Sequence, residues 1–391
     1  MPPLRGRADI DRLTPLPAST GRRLGALFLG YLAAVVAVIT LAPFQFAMPV
    51  HLSVAWLVTD GGWATDLILN VVLFLPLGFL WQRMTGGRPV WALLLGSAAG
   101  LSIELAQLFL APRYTTMSDL LANGSGAWLG AFGSAYLARR VATGRLVSTL
   151  WLDQPLMGLV YLLIPLIWLD GLGAAGEASR LWLLVPLGSS GALAIAAVAV
   201  AARGTTRPPL SLWPIIGAIA WFALGMVPAL RASPRNALMA LAATTVVATI
   251  GGPLWRAMLR GERRLEPQVV RGLLPLLLIV VGGTSASAGS LSLVGSAEIA
   301  RVAILRVLEQ AAAFTLLGYL VAEWRGRREE PLRRLVAMPL AVAVLAMALV
   351  DLTVVPWQSL FRPAACLLAT GYGALLYDAQ RAHIVALRTG G

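Results

Sequence analysis

The chain has 391 residues, of which 58% are hydrophobic and only 13% are charged. Soluble globular proteins carry about 25% charged residues, so this composition and a mean hydropathy of +0.77 exclude an ordinary soluble domain. The net charge of +13 does not indicate nucleic-acid binding, because the basic residues fall in short clusters between apolar runs. With one cysteine and two histidines, the chain offers no metal-ligand spacing, and no cofactor motif is present.

Apolar runs of about 20 residues, long enough to cross a bilayer as helices, recur along the chain. The sequence therefore predicts an all-α, polytopic helical membrane protein. The twelve predicted spans lie near residues 24–42, 66–82, 90–110, 119–138, 154–169, 181–202, 211–230, 236–258, 270–290, 300–323, 335–355 and 361–379. They divide the chain into a cytoplasmic tail and three four-helix regions, at residues 1–22, 23–145, 146–265 and 266–391.

The distribution of arginines predicts the orientation of these spans. If the N-terminus is cytoplasmic, 24 of the 31 basic residues fall in cytoplasmic segments, and the alternation holds from loop to loop. This predicts an inner-membrane protein with both termini inside. The second span then starts, the third ends and the fourth starts at the extracytoplasmic face.

Polar residues are concentrated at that face in the first region. Three pairs have helical spacing, so the members of each pair share a helix face. The pairs are Asp66 with Asn70, Glu104 with Gln107, and Asp119 with Asn123, and Arg113 lies between the third and fourth spans. Ionisable side chains at membrane depth are costly and usually mark a functional site, so these seven residues are the candidate site.

The segments that carry these residues resemble the VanZ-like family of membrane proteins. The resemblance rests on DLILNVVLFLPLGFLWQ at 66–82 and SIELAQLFLAPRYTTMSDLLANGSGAWLG at 102–130, and it covers about residues 24–140. The family is named for a protein linked to low-level resistance to the lipoglycopeptide teicoplanin. The resemblance thus implies a role in the cell envelope and in antibiotic resistance, and the other 250 residues imply a longer, specialised member. The family's polar positions would correspond to Asn70, Pro76, Gly78, Glu104, Gln107, Arg113, Asp119 and Asn123.

The last four spans are predicted to be a degenerate parallel repeat of the first four. Residues 74–80 align with 314–320 at an offset of 240, and Gly124-Ser-Gly-Ala aligns with Gly371-Tyr-Gly-Ala at an offset of 247. The alternative is chance similarity within a low-complexity apolar sequence. In this alignment the second copy loses most of the polar set, since Gln107 aligns with Val354 and Arg113 with Leu360, and this predicts that the N-terminal copy is the functional one. Glu104 aligns with Asp351, Asn70 with Gln310, Asp119 with Cys366 and Asn123 with Thr370.

Four interpretations of the polar cluster remain open at this point. In the first, it binds an amphipathic or lipid-linked envelope molecule, of the glycolipid or lipoglycopeptide class: Arg113 holds an anionic group, and Asp66, Asn70, Gln107 and Asn123 complete the binding site. In the second, Glu104 and Asp119 are the catalytic carboxylates of an intramembrane hydrolase or transferase that acts on a lipid-linked glycan. The third is a transporter, suggested by twelve spans and a repeat. The fourth is a structural ion-pair network of Glu104, Arg113 and Asp119 that joins two helices.

Overall fold

The computed structural model describes residues 20–48, 54–55, 63–110, 115–141, 156–174, 177–203, 212–258, 265–287, 296–325, 331–353 and 361–389. Within these ranges the chain forms thirteen α-helices, a 3₁₀ helix at Ala178–Leu183 and two strands of two residues each. The α-helices are α1 Thr20–Leu41, α2 Trp63–Thr85, α3 Pro89–Gln107, α4 Met117–Val141, α5 Met157–Gly173, α6 Leu184–Arg203, α7 Trp213–Gly225, α8 Val227–Ala232, α9 Pro234–Met258, α10 Leu265–Ser287, α11 Ala297–Arg325, α12 Leu332–Thr353 and α13 Phe361–Thr389.

The prediction of an all-α, polytopic membrane protein is confirmed. Every predicted span corresponds to a helix, and the seventh is divided at Met226 into α7 and the short α8. Among the described helices, eight are long and apolar enough to cross a membrane. The last helix extends ten residues beyond its predicted end at residue 379. This extension lies beside the start of α1, where His383 Nδ1 is 3.2 Å from Thr20 Oγ1.

Helix α5 lies at the centre of the bundle. Apart from Asp170 it is apolar on all sides, and 14 of its 17 residues are buried, as expected for a helix that is surrounded by other helices. In contrast, α3, α4 and α9 present large apolar side chains to the outside, among them Leu94, Leu121 and Val246. Such faces fit a lipid environment, where apolar side chains have no reason to turn inward.

Helices α2 and α4 cross at glycines. A Cβ atom on Gly130 would lie 1.9 Å from the Leu75 carbonyl oxygen and 2.8 Å from the Phe79 nitrogen. On the other helix, a Cβ atom on Gly78 would lie 1.8 Å from the Ala127 carbonyl oxygen. No side chain fits in such spaces, so glycine allows the two backbones to meet.

The same crossing recurs between α11 and α13. A Cβ atom on Gly373 would lie 1.9 Å from the Thr315 carbonyl oxygen and 2.8 Å from the Tyr319 nitrogen, and one on Gly318 would lie 2.1 Å from the Thr370 carbonyl oxygen. Each half of the crossing matches its counterpart between α2 and α4. This recurrence supports the predicted internal repeat.

The predicted register of the fourth helix in this repeat is wrong by about one turn. Leu75 and Phe79 correspond to Thr315 and Tyr319, which keeps the offset of 240, but Gly130 corresponds to Gly373, an offset of 243 instead of 247. Small residues recur every four positions in α4, so a shift of one turn places small residues on the same face again. With the corrected offset, Asp119 corresponds to Arg362 and Asn123 to Cys366.

Candidate functional site

The site lies at the end of the first four helices, beneath two connecting segments. The segment that follows α1 pairs with the segment between α3 and α4: the Ala47 N–H donates to the Phe109 carbonyl oxygen at 2.7 Å. Strand β1 (Val54–Ala55) also pairs in parallel with β2 (Thr115–Thr116). These hydrogen bonds hold the α3–α4 connection across the ends of the helices.

A cavity of about 380 Å³ lies at this end of the bundle. Its walls include six of the seven predicted site residues, and the seventh, Arg113, lies outside the described residues. The six are Asp66 and Asn70 from α2, Glu104 and Gln107 from α3, and Asp119 and Asn123 from α4. Residues more than 50 positions apart in sequence thus line the same cavity. This agrees with their predicted location at the same end of the membrane spans.

Two of these side chains are fixed by contacts with the backbone. The Glu104 carboxylate, only 4% exposed, accepts a hydrogen bond at 3.2 Å from the Thr116 N–H, at the edge of the α3–α4 connection. The Gln107 side-chain amide donates to the Thr40 carbonyl oxygen, at the end of α1, at 2.9 Å. These contacts orient both side chains without any bound molecule, so this wall of the cavity is preorganised.

Other polar atoms around the cavity lack partners within the described part of the chain. Asn123 is 3% exposed, and its Oδ1 accepts no hydrogen bond. Its amide lies against Gly100, where a Cβ atom would come within 2.9 Å of Nδ2. Trp168 Nε1 and Arg301 Nε are also buried donors without an acceptor among the described residues. Buried polar groups are usually satisfied in proteins, so these three atoms mark polar surroundings of the cavity that lie behind its surface.

Two arginines complete the cavity, and the sequence analysis did not assign them to the site. Arg231 on α8 and Arg301 on α11 also line it. Arg231 Nη1 lies 2.6 Å from Asp66 Oδ1, and both side chains are about half exposed. This ion pair therefore lies where the cavity opens to the outside. Both arginines belong to the seven basic residues that fall outside the predicted cytoplasmic segments. That unusual placement is the sequence signal that could have identified them.

Residues 21–138 match the family model described as VanZ/LLP1. These residues form a VanZ-like domain. The match confirms the resemblance and its extent, since the polar motifs of the second, third and fourth helices all lie inside it. Comparisons of the chain with curated proteins and with solved structures found no match.

The cavity lies at the border of the VanZ-like domain. The carboxylates and amides come from the domain, whereas five lining residues follow its last matched residue, 138. These five are Trp168, Leu172, Pro228, Arg231 and Arg301. The additional helices thus supply the basic and the aromatic wall, and the complete site needs both parts of the chain.

The corresponding place in the C-terminal four helices is filled by its own side chains. Arg362 Nε donates to Gln310 Oε1, and Arg362 Nη2 donates to the Ser285 carbonyl oxygen at 3.1 Å. The Gln310 amide in turn donates to Ser285 Oγ at 3.1 Å. Gln310 corresponds to Asn70 and Arg362 to Asp119, so these two positions bond to each other in the second copy, whereas in the first they line a cavity.

Proposed function

We propose that the protein binds the polar headgroup of an amphipathic or lipid-linked molecule of the cell envelope in the cavity at the border of its VanZ-like domain. The substrate class is a glycolipid or a lipoglycopeptide. The observation that carries the proposal is that carboxylates, amides and two arginines from five helices surround one cavity. A headgroup with hydroxyl or amide groups and an anionic substituent would complement these walls.

The charge arrangement supports a ligand that carries both kinds of polar group. Arg231 and Arg301 can hold a phosphate or carboxylate, because guanidinium groups bind such anions through paired N–H donors. Glu104 on α3 and Asp119 on α4 would accept hydrogen bonds from sugar hydroxyls, whereas Asp66 is paired with Arg231 at the mouth of the cavity. A purely anionic headgroup would be repelled by that side, so a glycan attached to a phosphate fits better than a bare phosphate.

The surroundings of the cavity support an amphipathic ligand rather than a soluble one. Phe44, Phe46 and Phe109, in the two segments that cover this end, and Trp63, at the start of α2, all have exposed rings. Exposed aromatic side chains at helix ends are typical of the interface between lipid and water. The apolar part of a ligand could therefore stay in the bilayer while its headgroup enters the cavity.

The orientation is part of the proposal: the site faces the extracytoplasmic side of the inner membrane. The excess of arginines in the connections at the opposite end of the helices supports it. A molecule assembled or exported at the outer leaflet would then reach the cavity from the membrane.

The experiment is native mass spectrometry of the full chain released from detergent micelles. The probes are a glycosylated polyprenyl phosphate, the unglycosylated polyprenyl phosphate, the uncharged polyprenol and teicoplanin. We expect the glycosylated phosphate or teicoplanin to bind more tightly than polyprenol, and Asn123→Ala to weaken that binding. Equal binding of all the lipids, unchanged by Asn123→Ala, would contradict the proposal.

A hydrolase or transferase is the second candidate, because Glu104 and Asp119 line the same cavity. Paired carboxylates serve as acid and base, or as acid and nucleophile, in glycoside cleavage. The transporter interpretation has less support: the cavity walls include α2 only from Asp66 to Leu73, and the helix continues to Thr85. Within the described residues, the cavity is therefore confined to one end of the bundle.

A further inference from the structure

A second group of buried ionisable residues lies outside the cavity. Asp170 on α5, Arg180 on the 3₁₀ helix and Glu309 on α11 are each at least 97% buried. Arg180 Nη2 forms an ion pair with Glu309 Oε2. A Cβ atom on Gly173 would lie 3.1 Å from Arg180 Nη1, which places the guanidinium group beside the end of α5, about one turn after Asp170.

Hydrogen bonding within this cluster is incomplete. Among the described residues, neither oxygen of Asp170 has a partner, and the same is true of Glu309 Oε1 and of Arg180 Nε and Nη1. The Asp170 carboxylate is therefore buried without the hydrogen bonds that an ionised group requires.

The charges of the cluster do not balance when every group is ionised. The two carboxylates share Arg180; Arg306 also attracts Glu309, but Arg306 and Arg231 each have an acidic partner of their own. On α11, Arg306 pairs with Glu177; on α8, Arg231 pairs with Asp66. The cluster would thus hold an uncompensated negative charge away from water, and a group in that situation takes up a proton instead.

We propose that the Asp170–Arg180–Glu309 cluster is a binding site for one exchangeable proton. The proton resides on one of the two carboxyl groups, and Arg180 is the counter-ion of the other, which is ionised. On binding, the proton comes from water and forms an O–H bond to a carboxylate oxygen; on release, it returns to water. No other reactant takes part.

The position of Asp170 on α5 places this proton site behind the wall of the cavity. Trp168 and Leu172 line the cavity, and at 3.6 residues per turn Asp170 points about 160° to 200° away from them. A single helix therefore separates the proton site from the cavity. Buried carboxyl groups of this kind are a feature of membrane proteins that bind or relay protons.

Infrared difference spectroscopy on the full chain in lipid nanodiscs tests the proposal. A protonated carboxylic acid has a carbonyl stretching band that shifts in deuterated water and disappears when the proton is released. Glu104 and Glu323 are other buried carboxyl groups, so spectra are recorded in a Glu104→Gln/Glu323→Gln background. We expect one such band near neutral pH and its loss at alkaline pH.

The variants follow from the charge count. Asp170→Asn and Glu309→Gln each leave one carboxylate for Arg180, so both should abolish the band. Each amide imitates the protonated form of the acid that it replaces. If Asp170→Asn fails to insert into the membrane, Glu309→Gln provides the test. Glu298→Gln, which changes an exposed acid in the first turn of α11, should leave the band unchanged. The proposal is overturned if the starting protein has no such band near neutral pH, or if the band survives in either cluster variant.

Discussion

Arg231 and Asp66 lie 165 residues apart in sequence, yet Arg231 Nη1 approaches Asp66 Oδ1 to 2.6 Å. The contact joins a helix of the middle region to the VanZ-like domain at the mouth of the cavity. An exposed ion pair of this kind adds at most about 1 kcal/mol to stability. Its position at the opening, beside Arg301, therefore suggests a role in binding rather than in folding.

The first prediction concerns these two arginines. Arg231→Gln and Arg301→Gln should each weaken binding of the glycosylated polyprenyl phosphate about ten-fold or more, because a hydrogen bond to a charged group contributes roughly 1.5–3 kcal/mol. Affinity is measured by native mass spectrometry over a series of lipid concentrations. Arg235→Gln is the matched control. Arg235 is exposed at the start of α9, four residues after Arg231, and it does not line the cavity. Equal affinities in all three variants would exclude the basic wall from the site.

The second prediction separates binding from catalysis. If Glu104 and Asp119 are catalytic, Glu104→Gln and Asp119→Asn should retain the glycosylated lipid but stop the release of its sugar, followed by chromatography of the products. If the site only binds, the normal protein should release no sugar, and both variants should lower affinity.

Asp351→Asn is the comparison for Glu104→Gln, because Asp351 is the predicted counterpart of Glu104 in the C-terminal region. We expect Asp351→Asn to retain binding and any activity. Loss of function in Asp351→Asn with normal expression would contradict the assignment of function to the N-terminal copy.

The third prediction concerns the glycine crossings. Gly130→Ala should destabilise the protein by about 1–3 kcal/mol, because the new methyl group would meet the Leu75 carbonyl oxygen. Gly133→Ala, one turn later on the same helix, should be neutral or stabilising by up to about 1 kcal/mol, because no atom lies within 4 Å of its Cβ position. Thermal unfolding in detergent measures both effects.

The same comparison can be made in the second copy. Gly373→Ala should resemble Gly130→Ala, and Gly371→Ala should resemble Gly133→Ala, since the Cβ position of Gly371 also has open space around it. If Gly371→Ala destabilised the protein more than Gly373→Ala does, the corrected register of the repeat would be wrong.

The fourth prediction tests orientation by cysteine labelling. Cys366, the single native cysteine, is buried and is replaced by alanine first. A cysteine at the exposed Ala64, near the start of α2, should react with a membrane-impermeant maleimide in intact cells. One at the exposed Thr85, at the other end of the same helix, should react only after permeabilisation. The reverse pattern would place the site on the cytoplasmic side.

Much of this architecture follows from local features of the chain. The length of an apolar run reports a membrane-spanning helix, and three- or four-residue spacing reports a common helix face, whatever the neighbours are. Hence the helices, the VanZ-like domain and the six described polar residues of the cavity could be predicted from the sequence. The orientation also rests on a local signal, the placement of arginines.

The tertiary structure decided what the local pattern leaves undetermined. Small residues at four-residue intervals look alike after a shift of one turn, so only the contact of Gly373 with Thr315 established the register of the repeat. The basic wall, from Arg231 and Arg301, and the cluster of Asp170 with Glu309 depend on which helices pack together across more than a hundred residues. Hydropathy shows that these charged side chains need partners, but the choice of partner is made by helix packing, which no single segment encodes.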